Sequence, residues 1–475
     1  MLPLTGGVFV QLPQAFPAAS INDYPGKSSD LDEIEGAVMT GHDNAAVRSA
    51  NRKFFARIIP LLMLMLIINQ IDRSNIGFIK HQLELDVGIS TAAFGFGAGL
   101  FFIGYALFEV PSNILLDKLG ARTWLTRIMI TWGVVVFATG FIQTPTQFYI
   151  ARFLLGIAEA GFFPGLLFYF RKWVPNVYRG RATALILSSS AAAYLLSGPI
   201  TGGLLEMHDF LGIAGWKWVL FIEGAISVLV GIFAIGWLVS APESAKWLTP
   251  QEKTALNSTL AEESTSRDRT SREVSKWKLL FEGQMAYLCF LFFTMCMTGY
   301  TLVFWQPQII ARIGGLSPFE VGLLTSVPWL CAIIAINILG RLADRFHHRR
   351  ELMLSIALVV TAIGTFLCAT GSPIFGLLAL CIVCVGSKSS AVLFWPIPQA
   401  NLPSSIVAPG IALINSLGNL GGFFAPTVFG YLELKTGSTM GGLMGLSAFS
   451  VFAAITLLFV KTRPKPVAME KSPNV

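Results

Sequence analysis

The sequence predicts an all-α membrane protein, with 12 transmembrane helices in two six-helix bundles, on three observations. Of its 475 residues, 54% are hydrophobic and only 13% charged, against about 25% charged in a soluble domain. Twelve apolar segments follow one another, each close to the ~20 residues that cross a bilayer as a helix. One long polar break divides them six and six. With 37 Phe, 11 Trp and 45 Gly, the composition also suits helices packed in lipid, where small residues permit close approach and Trp anchors interfaces.

In chain order, residues 1–50 are polar and rich in Pro, Ser and Asp, without the basic stretch, apolar core and cleavage site of a signal peptide. They read as a disordered cytoplasmic tail. Spans 55–79, 92–116, 122–143, 145–170, 181–206 and 216–240 build an N-terminal bundle over 51–240. Residues 241–283, charged and rich in Ser and Thr, read as a cytoplasmic central loop. Spans 284–311, 319–343, 351–370, 374–400, 406–433 and 439–460 build a C-terminal bundle over 284–462, and 463–475 is a second cytoplasmic tail. "LLDKLGAR" (115–122) ends the second span and "RLADRFHHR" (341–349) ends the eighth. Asp117 and Asp344, each followed by a base at the same end of corresponding helices, read as gating or structural positions of two parallel repeats.

The net charge of +7 is a topology signal rather than a nucleic-acid footprint. With both termini and the central loop inside, only Lys80, Lys217, Arg312 and Lys435 fall on outer loops. That is the asymmetry expected of a multi-pass protein of the inner (plasma) membrane. All six Cys lie in apolar runs, so no disulfide framework is indicated, and Cys381 and Cys384 in "LLALCIVCVG" read as helix packing rather than a zinc or redox pair. Gly-rich stretches such as "SGPITGG" (197–203) lack the Gly-Lys-Ser/Thr ending of a phosphate loop, and the five His fall in the tail or loops. No enzyme chemistry, metal or cofactor is expected.

The residues that ask for a function are the charges inside spans. Lys, Arg or Asp at a helix centre costs roughly 2.5–3.5 kcal/mol on insertion scales, so each has to face a partner, water or a cargo. Asp72 and Arg73 in "LLMLMLIINQIDRSNIGFI" (61–79) are about 100° apart on a helix. One can face a central cavity while the other faces a neighbouring helix. Arg73 offers a planar fork for a carboxylate and Asp72 can take up a proton; a permanent ion pair with fourth-span charges is the other reading. Glu159 and Arg152 lie two turns apart on one face of the fourth span. Glu159, among small residues, reads as a proton carrier or as a static partner of Arg152 or Arg73. Arg152, near the start of the span, reads as structural, as does Glu109, directed at the Asp117 loop. Glu223 reads as packing. Lys388, near the middle of the tenth span, stands across from Arg73 if it faces the cavity, and two cations suit a dicarboxylate. Snorkelling or pairing with a buried acid is its alternative.

The two Asp-containing loops resemble the loop signature of the major facilitator superfamily. "IDRSNIGFI", "RFLLGIAEAGFFPG" (152–165), "YFRKWVPNVYRGRATA" (169–184), "WKWVLFIEG" (216–224), "FWPIPQ" (394–399) and "INSLGNLGGFFAP" (414–426) narrow the likeness. They are similar to the anion:cation symporter family, close to bacterial tartrate, phthalate and sugar-acid permeases. The likeness covers about residues 50–462. It implies that Arg73 holds the substrate carboxylate, that Asp72 and Glu159 couple protons, and that Tyr105, Trp395 and Asn415 line the pocket. Tyr194, Tyr300, Trp305 and Gln306 are further lining candidates by residue type, while Lys388 departs from the family's general pattern.

The expected function is a proton-coupled secondary transporter that imports an organic carboxylate, whether tartrate-like, aromatic dicarboxylate or sugar acid, by alternating access. Its partners are a small organic acid, protons and the lipid bilayer, and it is expected to act as a monomer. A proton-driven exporter of the same fold, and a non-transporting membrane receptor or channel subunit, are the alternatives. Arg73 with Lys388 argues for anionic cargo over cationic drugs.

Overall fold

A computed structural model describes residues 45–268, 283–346, 349–370, 373–402 and 407–459, and every regular element among them is helical. The first span, α1 (Ile59–Val87), has Pro60 in its first turn, where a missing N–H costs nothing. It closes at Gly88, whose φ of 71° supplies a left-handed cap. A helical stretch over 45–57 leads into it. The disordered tail expected over 1–50 is thus corrected at 45–50, where Val47 and Ala50 are buried against the first bundle; residues 1–44 lie outside the described residues. Ser90 caps α2 (Thr91–Leu119) by accepting the Ala93 N–H, and α3 (Ala121–Thr139) follows.

The fourth span is two helices, α4 (Pro145–Glu159) and α5 (Phe162–Trp173). Gly161 makes the break: it takes φ 83°, and a Cβ there would lie 2.4 Å from Ser112 Oγ. Glu159 is therefore the last helical residue before a bend in mid-span. The first half is completed by α6 (Asn176–Leu205) and α7 (Gly215–Trp237). The central segment is more ordered than a loop, for α8 (Pro250–Asp268) forms within it. Glu252 of α8 accepts Lys53 Nζ at 2.8 Å and Ser49 Oγ at 2.6 Å, docking the helix on the lead-in to α1.

The second half comprises α9 (Gly283–Ala311), α10 (Pro318–Arg345), α11 (Arg350–Thr370), α12 (Pro373–Phe394), the short α13 (Pro396–Asn401), α14 (Val407–Asn419), α15 (Gly421–Thr436) and α16 (Met440–Phe459). A Ser317–Glu320 capping box starts α10. Among the described residues, 10 helices are long and apolar enough to cross a membrane. The other two expected spans are α3, which carries Arg122 and Arg127 in its first two turns, and the eleventh, which splits at Leu420 into α14 and α15. With these, all 12 expected spans are helical. Residues 463–475 and the side chain of Asp344 lie outside the described residues.

The halves meet through α1 on α9, α2 on α15 and α6 on α10. Their approach is closest at the end where α1 and α9 finish and α2 and α10 begin. There Gly198 and Gly322 face each other so closely that a Cβ on either would lie 2.1 Å from the other's carbonyl oxygen. Lys80 Nζ pairs with Glu433 Oε2 across the seam at 3.2 Å, and Trp305 Nε1 donates to the same oxygen at 2.6 Å. At this end the halves are closed.

Candidate functional site

In the middle of the seam the two adjacent charges of α1 part company, as their angular offset requires. Arg73 turns to the fourth span, where its Nε donates to Glu159 Oε2 at 2.8 Å. Its guanidinium lies over the Phe101 and Tyr105 rings at 5.0 and 5.1 Å, a cation–π placement that keeps the fork in position. Asn69, one turn earlier on the same face of α1, donates its Nδ2 to the same Glu159 oxygen at 2.8 Å. Glu159 is 0% exposed and its Oε1 has no partner among the described residues. Of the partners left open for Glu159, Arg73 is the one it bonds.

Asp72 turns the other way, into the first half. Its Oδ2 accepts Trp132 Nε1 at 2.6 Å and Ser227 Oγ at 3.0 Å, and its Oδ1 has no partner among the described residues. No ion pair with fourth-span charges forms there. Glu223 is its acidic neighbour, held by Asn75 Nδ2 at 2.5 Å and Thr201 Oγ1 at 3.1 Å. Glu223 is thus part of a buried carboxyl cluster and not a packing residue alone.

Two expectations change. Arg152, expected as a structural residue near the start of its span, is buried in α4 at 3% exposure and lies over the other side of the Arg73 neighbourhood, 5.1 Å from the Phe101 ring. Its Nε and Nη2 have no hydrogen-bond partner among the described residues. Both donors to Glu159 use Oε2, and its free Oε1 makes no hydrogen bond to Arg152. Glu109, expected to face the Asp117 loop, has Arg73 as its charged neighbour, while Asp117 itself is exposed.

Arg73, Phe101, Phe102, Arg152, Tyr194 and Tyr300 line one small cavity. Tyr300 comes from the second half; its ring meets Phe102 at 4.3 Å and its hydroxyl donates to Asn419 Oδ1 at 3.1 Å. Tyr194 stacks on Trp329 across the seam, with centroids 4.2 Å apart and planes within 11°, and receives Gln70 Nε2 on its hydroxyl at 3.1 Å. Lys388 Nζ sits over both rings of that stack, 5.4 Å from Tyr194 and 4.8 Å from Trp329. Tyr194 is therefore the wall shared by Arg73 and Lys388, and no carboxylate of the described residues lies within ion-pair distance of Lys388.

Tyr105 belongs to the shell around Arg73. Trp395, by contrast, packs on Phe292 at 4.8 Å and Phe394 at 5.4 Å in the core of the second half, and Trp305 serves the closed seam. Asn415 makes no side-chain hydrogen bond among the described residues; Asn419, one turn later on α14, is the asparagine that meets the Tyr300 hydroxyl. Gln306 is buried and donates to the Thr325 carbonyl. Asn69 was open to detection, since it stands four residues before Arg73 and so shares its face. Trp132, Ser227 and Trp329 carry no such local signal, because their partners are on other helices. No cluster of metal-ligating side chains occurs among the described residues.

The family model of the Major Facilitator Superfamily matches residues 62–426 and 288–473. The chain is 41% identical over 417 residues to a protein of Agrobacterium vitis named "Putative tartrate transporter", covering 88% of this chain and 92% of that protein. It is 39% identical over 405 residues to the "Quinolone resistance transporter" of Acinetobacter baumannii, covering 85% and 93%. In fold it is similar to the inward open conformation of the xylose transporter XylE from E. coli, with a TM-score of 0.70 at 15% identity over 87% of this chain and 97% of that one. Together with the helical order and the two-bundle seam, these matches identify the chain as a membrane transporter, not an enzyme, and as a member of the Major Facilitator Superfamily.

Proposed function

We propose that this chain imports an organic carboxylate together with protons by alternating access, with a hydroxylated dicarboxylate of the tartrate kind as the leading candidate. The observation that carries the reading is the excess of cations around the central cavity, Arg73 and Arg152 in its wall and Lys388 behind the Tyr194–Trp329 stack. Arg73 has one carboxylate partner, whereas Arg152 and Lys388 have none within ion-pair distance among the described residues. A buried cation without a counter-charge costs several kcal/mol, and an anionic cargo offsets that cost. One carboxylate on the Arg73–Arg152 side and a second on Lys388, with the Tyr194–Trp329 stack between, would seat a dianion across both halves. The relative named for tartrate supports that substrate class.

Glu159 and the cargo then compete for Arg73. A proton on Glu159 removes its charge and frees the guanidinium for the cargo; deprotonation on the inner side draws Arg73 back and expels it. Asp72, with one bare carboxyl oxygen, is the second proton position, and Glu223 beside it tunes that site. A dianion entering an inside-negative cell loses roughly 4.6 kcal/mol per 100 mV, twice the single-charge value, so two protons offset its charge. In this reading both termini and the central segment are cytoplasmic in the inner membrane. The closed end faces outward, and a monomer suffices.

The relative named for quinolone resistance favours a second reading, export of a larger carboxylate in exchange for protons. Quinolones also carry a carboxyl group, so the cations do not separate the two readings; the direction of flux does. The test is uptake into proteoliposomes under an inward proton gradient, with mono- and dicarboxylates, sugar acids and a quinolone as cargo. Accumulation of a dicarboxylate is the expected result. Failure to accumulate any carboxylate, with quinolone driven against the proton gradient, would overturn import.

A further inference from the structure

We propose that a basic cavity on the first half, remote from the central site, binds the phosphate group of an anionic membrane lipid. The cavity measures about 450 Å³ and lies where the lead-in to α1, the start of α3, the end of α7 and the following linker converge. Three cations line it, Arg57, Arg122 and Lys246, with Trp237, Trp247 and Ser240 beside them, and no acidic residue is among the described lining residues.

The geometry of these groups points to a ligand rather than to internal pairing. Arg122 is fixed in place because its Nε and one terminal nitrogen both donate to the Ile235 carbonyl, near the end of α7. This leaves the remaining N–H groups of its fork for a partner. Arg57 lies 6.0 Å from the Trp247 ring, and Trp237 Nε1 donates to the Arg57 carbonyl at 2.8 Å, which ties the rim together. Lys246 is exposed at the mouth. No salt bridge engages Arg57, Arg122 or Lys246 among the described residues. A fork of guanidinium donors with a nearby ammonium matches the oxygens of a phosphate.

The surroundings select a lipid over a free anion. Trp237 is 46% exposed, and Ile232 and Phe233 on the preceding turns are 53% and 54% exposed, so the cavity opens beside an apolar face of α7. Trp at that level is the usual anchor of the membrane–water boundary, and basic pockets between helices there are suited to anionic headgroups. The acyl chains would lie along α7 while the phosphate reaches the three cations. Bound in this way, one lipid ties the first, third and sixth spans to the linker that leads to α8.

The experiment titrates the purified full-length protein with phosphatidylglycerol, phosphatidylcholine and inorganic phosphate, reading thermal stability and, by native mass spectrometry, retained lipid. Phosphatidylglycerol is expected to raise the melting temperature where phosphatidylcholine and millimolar phosphate do not. Arg57→Gln with Lys246→Gln is expected to raise the phosphatidylglycerol concentration needed for that shift about 30-fold, two cations at the usual gain per basic residue near an anionic surface. The charge-matched control Arg312→Gln with Lys435→Gln, at the opposite end, keeps it. An unchanged phosphatidylglycerol response in the Arg57/Lys246 variant overturns the site, and a shift reproduced by inorganic phosphate overturns its assignment to lipid. Ser240→Phe, which narrows the cavity and leaves all three charges, provides an independent arm: loss of retained phosphatidylglycerol supports the site.

Discussion

Glu433→Gln tests whether the closed seam is one of two states. Lys80 Nζ stands 3.2 Å from Glu433 Oε2, with the lysine side chain 6% exposed and the glutamate 17%, and 4.9 Å from the Trp305 ring centre. The amide keeps an acceptor for the Trp305 N–H but leaves Lys80 charged and without its direct ion partner, Glu84 being the acidic neighbour that remains. Losing one partner of a buried pair costs about 3–5 kcal/mol; the residual exposure of Glu433 places this pair at or just below the lower end, ~2–3 kcal/mol. In a conformation open at this end both side chains are hydrated, so the penalty falls on the closed state alone. The closed-to-open ratio should therefore fall about 30- to 150-fold. Spin labels at Leu85 and Leu434, which are 69% and 54% exposed, report the separation in a background lacking the six native cysteines. A long-distance population should appear in Glu433→Gln and shrink in Lys80→Gln/Glu433→Gln, where no unpaired charge is left buried. An unchanged distance distribution in the single variant refutes the reasoning, and so does a double variant that opens further than the single.

Arg73→Ala should abolish uptake of every carboxylate; normal flux would remove Arg73 from the binding site. Arg152→Gln should raise the half-saturating cargo concentration by about 10-fold or more, the loss of one charge-assisted contact, while leaving the folded yield intact; unchanged half-saturation would make Arg152 structural after all. Lys388→Ala should lose dicarboxylates and spare monocarboxylates, and equal effects on both would assign the lysine to packing. The α8 docking carries a pH signature. Burial works to raise the Glu252 carboxyl, but the bonds from Lys53, Ser49 and the Thr249 N–H outweigh it and hold the pKa at about 2, below its ordinary 4.5. A depressed carboxylate contributes stability that is present above pH 4.5 and lost as pH falls through about 2. Protection of the α8 amides, taken relative to their intrinsic exchange rate at each pH, should therefore be high at pH 5 and fall between about 4 and 2, and Glu252→Gln should flatten that profile.

The architecture was legible because bilayer crossing imposes a length and a composition on each segment, and twelve such segments were plain. The eleventh looked continuous because its apolar run is continuous; the split at Leu420 is a backbone event that hydropathy does not register. Arg73 and Glu159 were legible because a charge in a lipid-length helix demands a reason. That they bond each other depends on the bend at Gly161 and on the reach of the Asn69 and Arg73 side chains from α1 to the end of α4. The setting of Arg152 was not legible for the same cause: its place along α4 suggests a helix end, while the structure buries it with two nitrogens lacking a hydrogen-bond partner among the described residues. Asn415 drew attention by its motif, yet the side chain that meets Tyr300 is one turn further on, a choice made by helix rotation. The likeness in family and the geometry of the site answer different questions here. Relatives named for tartrate and for quinolone resistance share the fold, so cargo has to be argued from cations and direction from flux.

The bonding of the three buried carboxyls sets Glu159 and Asp72 apart from Glu223. Both donors to Glu159, Asn69 and Arg73, converge on Oε2 and leave Oε1 bare. Both donors to Asp72, Trp132 and Ser227, likewise converge on Oδ2 and leave Oδ1 bare. Glu223 differs, since Asn75 occupies Oε2 and Thr201 occupies Oε1. A proton can add to the bare oxygen of Glu159 or Asp72 without displacing a donor, whereas on Glu223 it has to compete with one. The same asymmetry makes the amide variants interpretable: Glu159→Gln and Asp72→Asn can keep the accepting oxygen toward their donors and turn the NH2 to the bare side. Each then imitates the protonated acid rather than breaking the site. Glu159→Gln should consequently lose accumulation driven by a proton gradient and retain cargo-for-cargo exchange, because Arg73 then faces a neutral acceptor and no rival charge holds it from the cargo. Concentrative uptake that survives in Glu159→Gln, or exchange that fails in it while the protein folds, would show that the competition for Arg73 is not the coupling step.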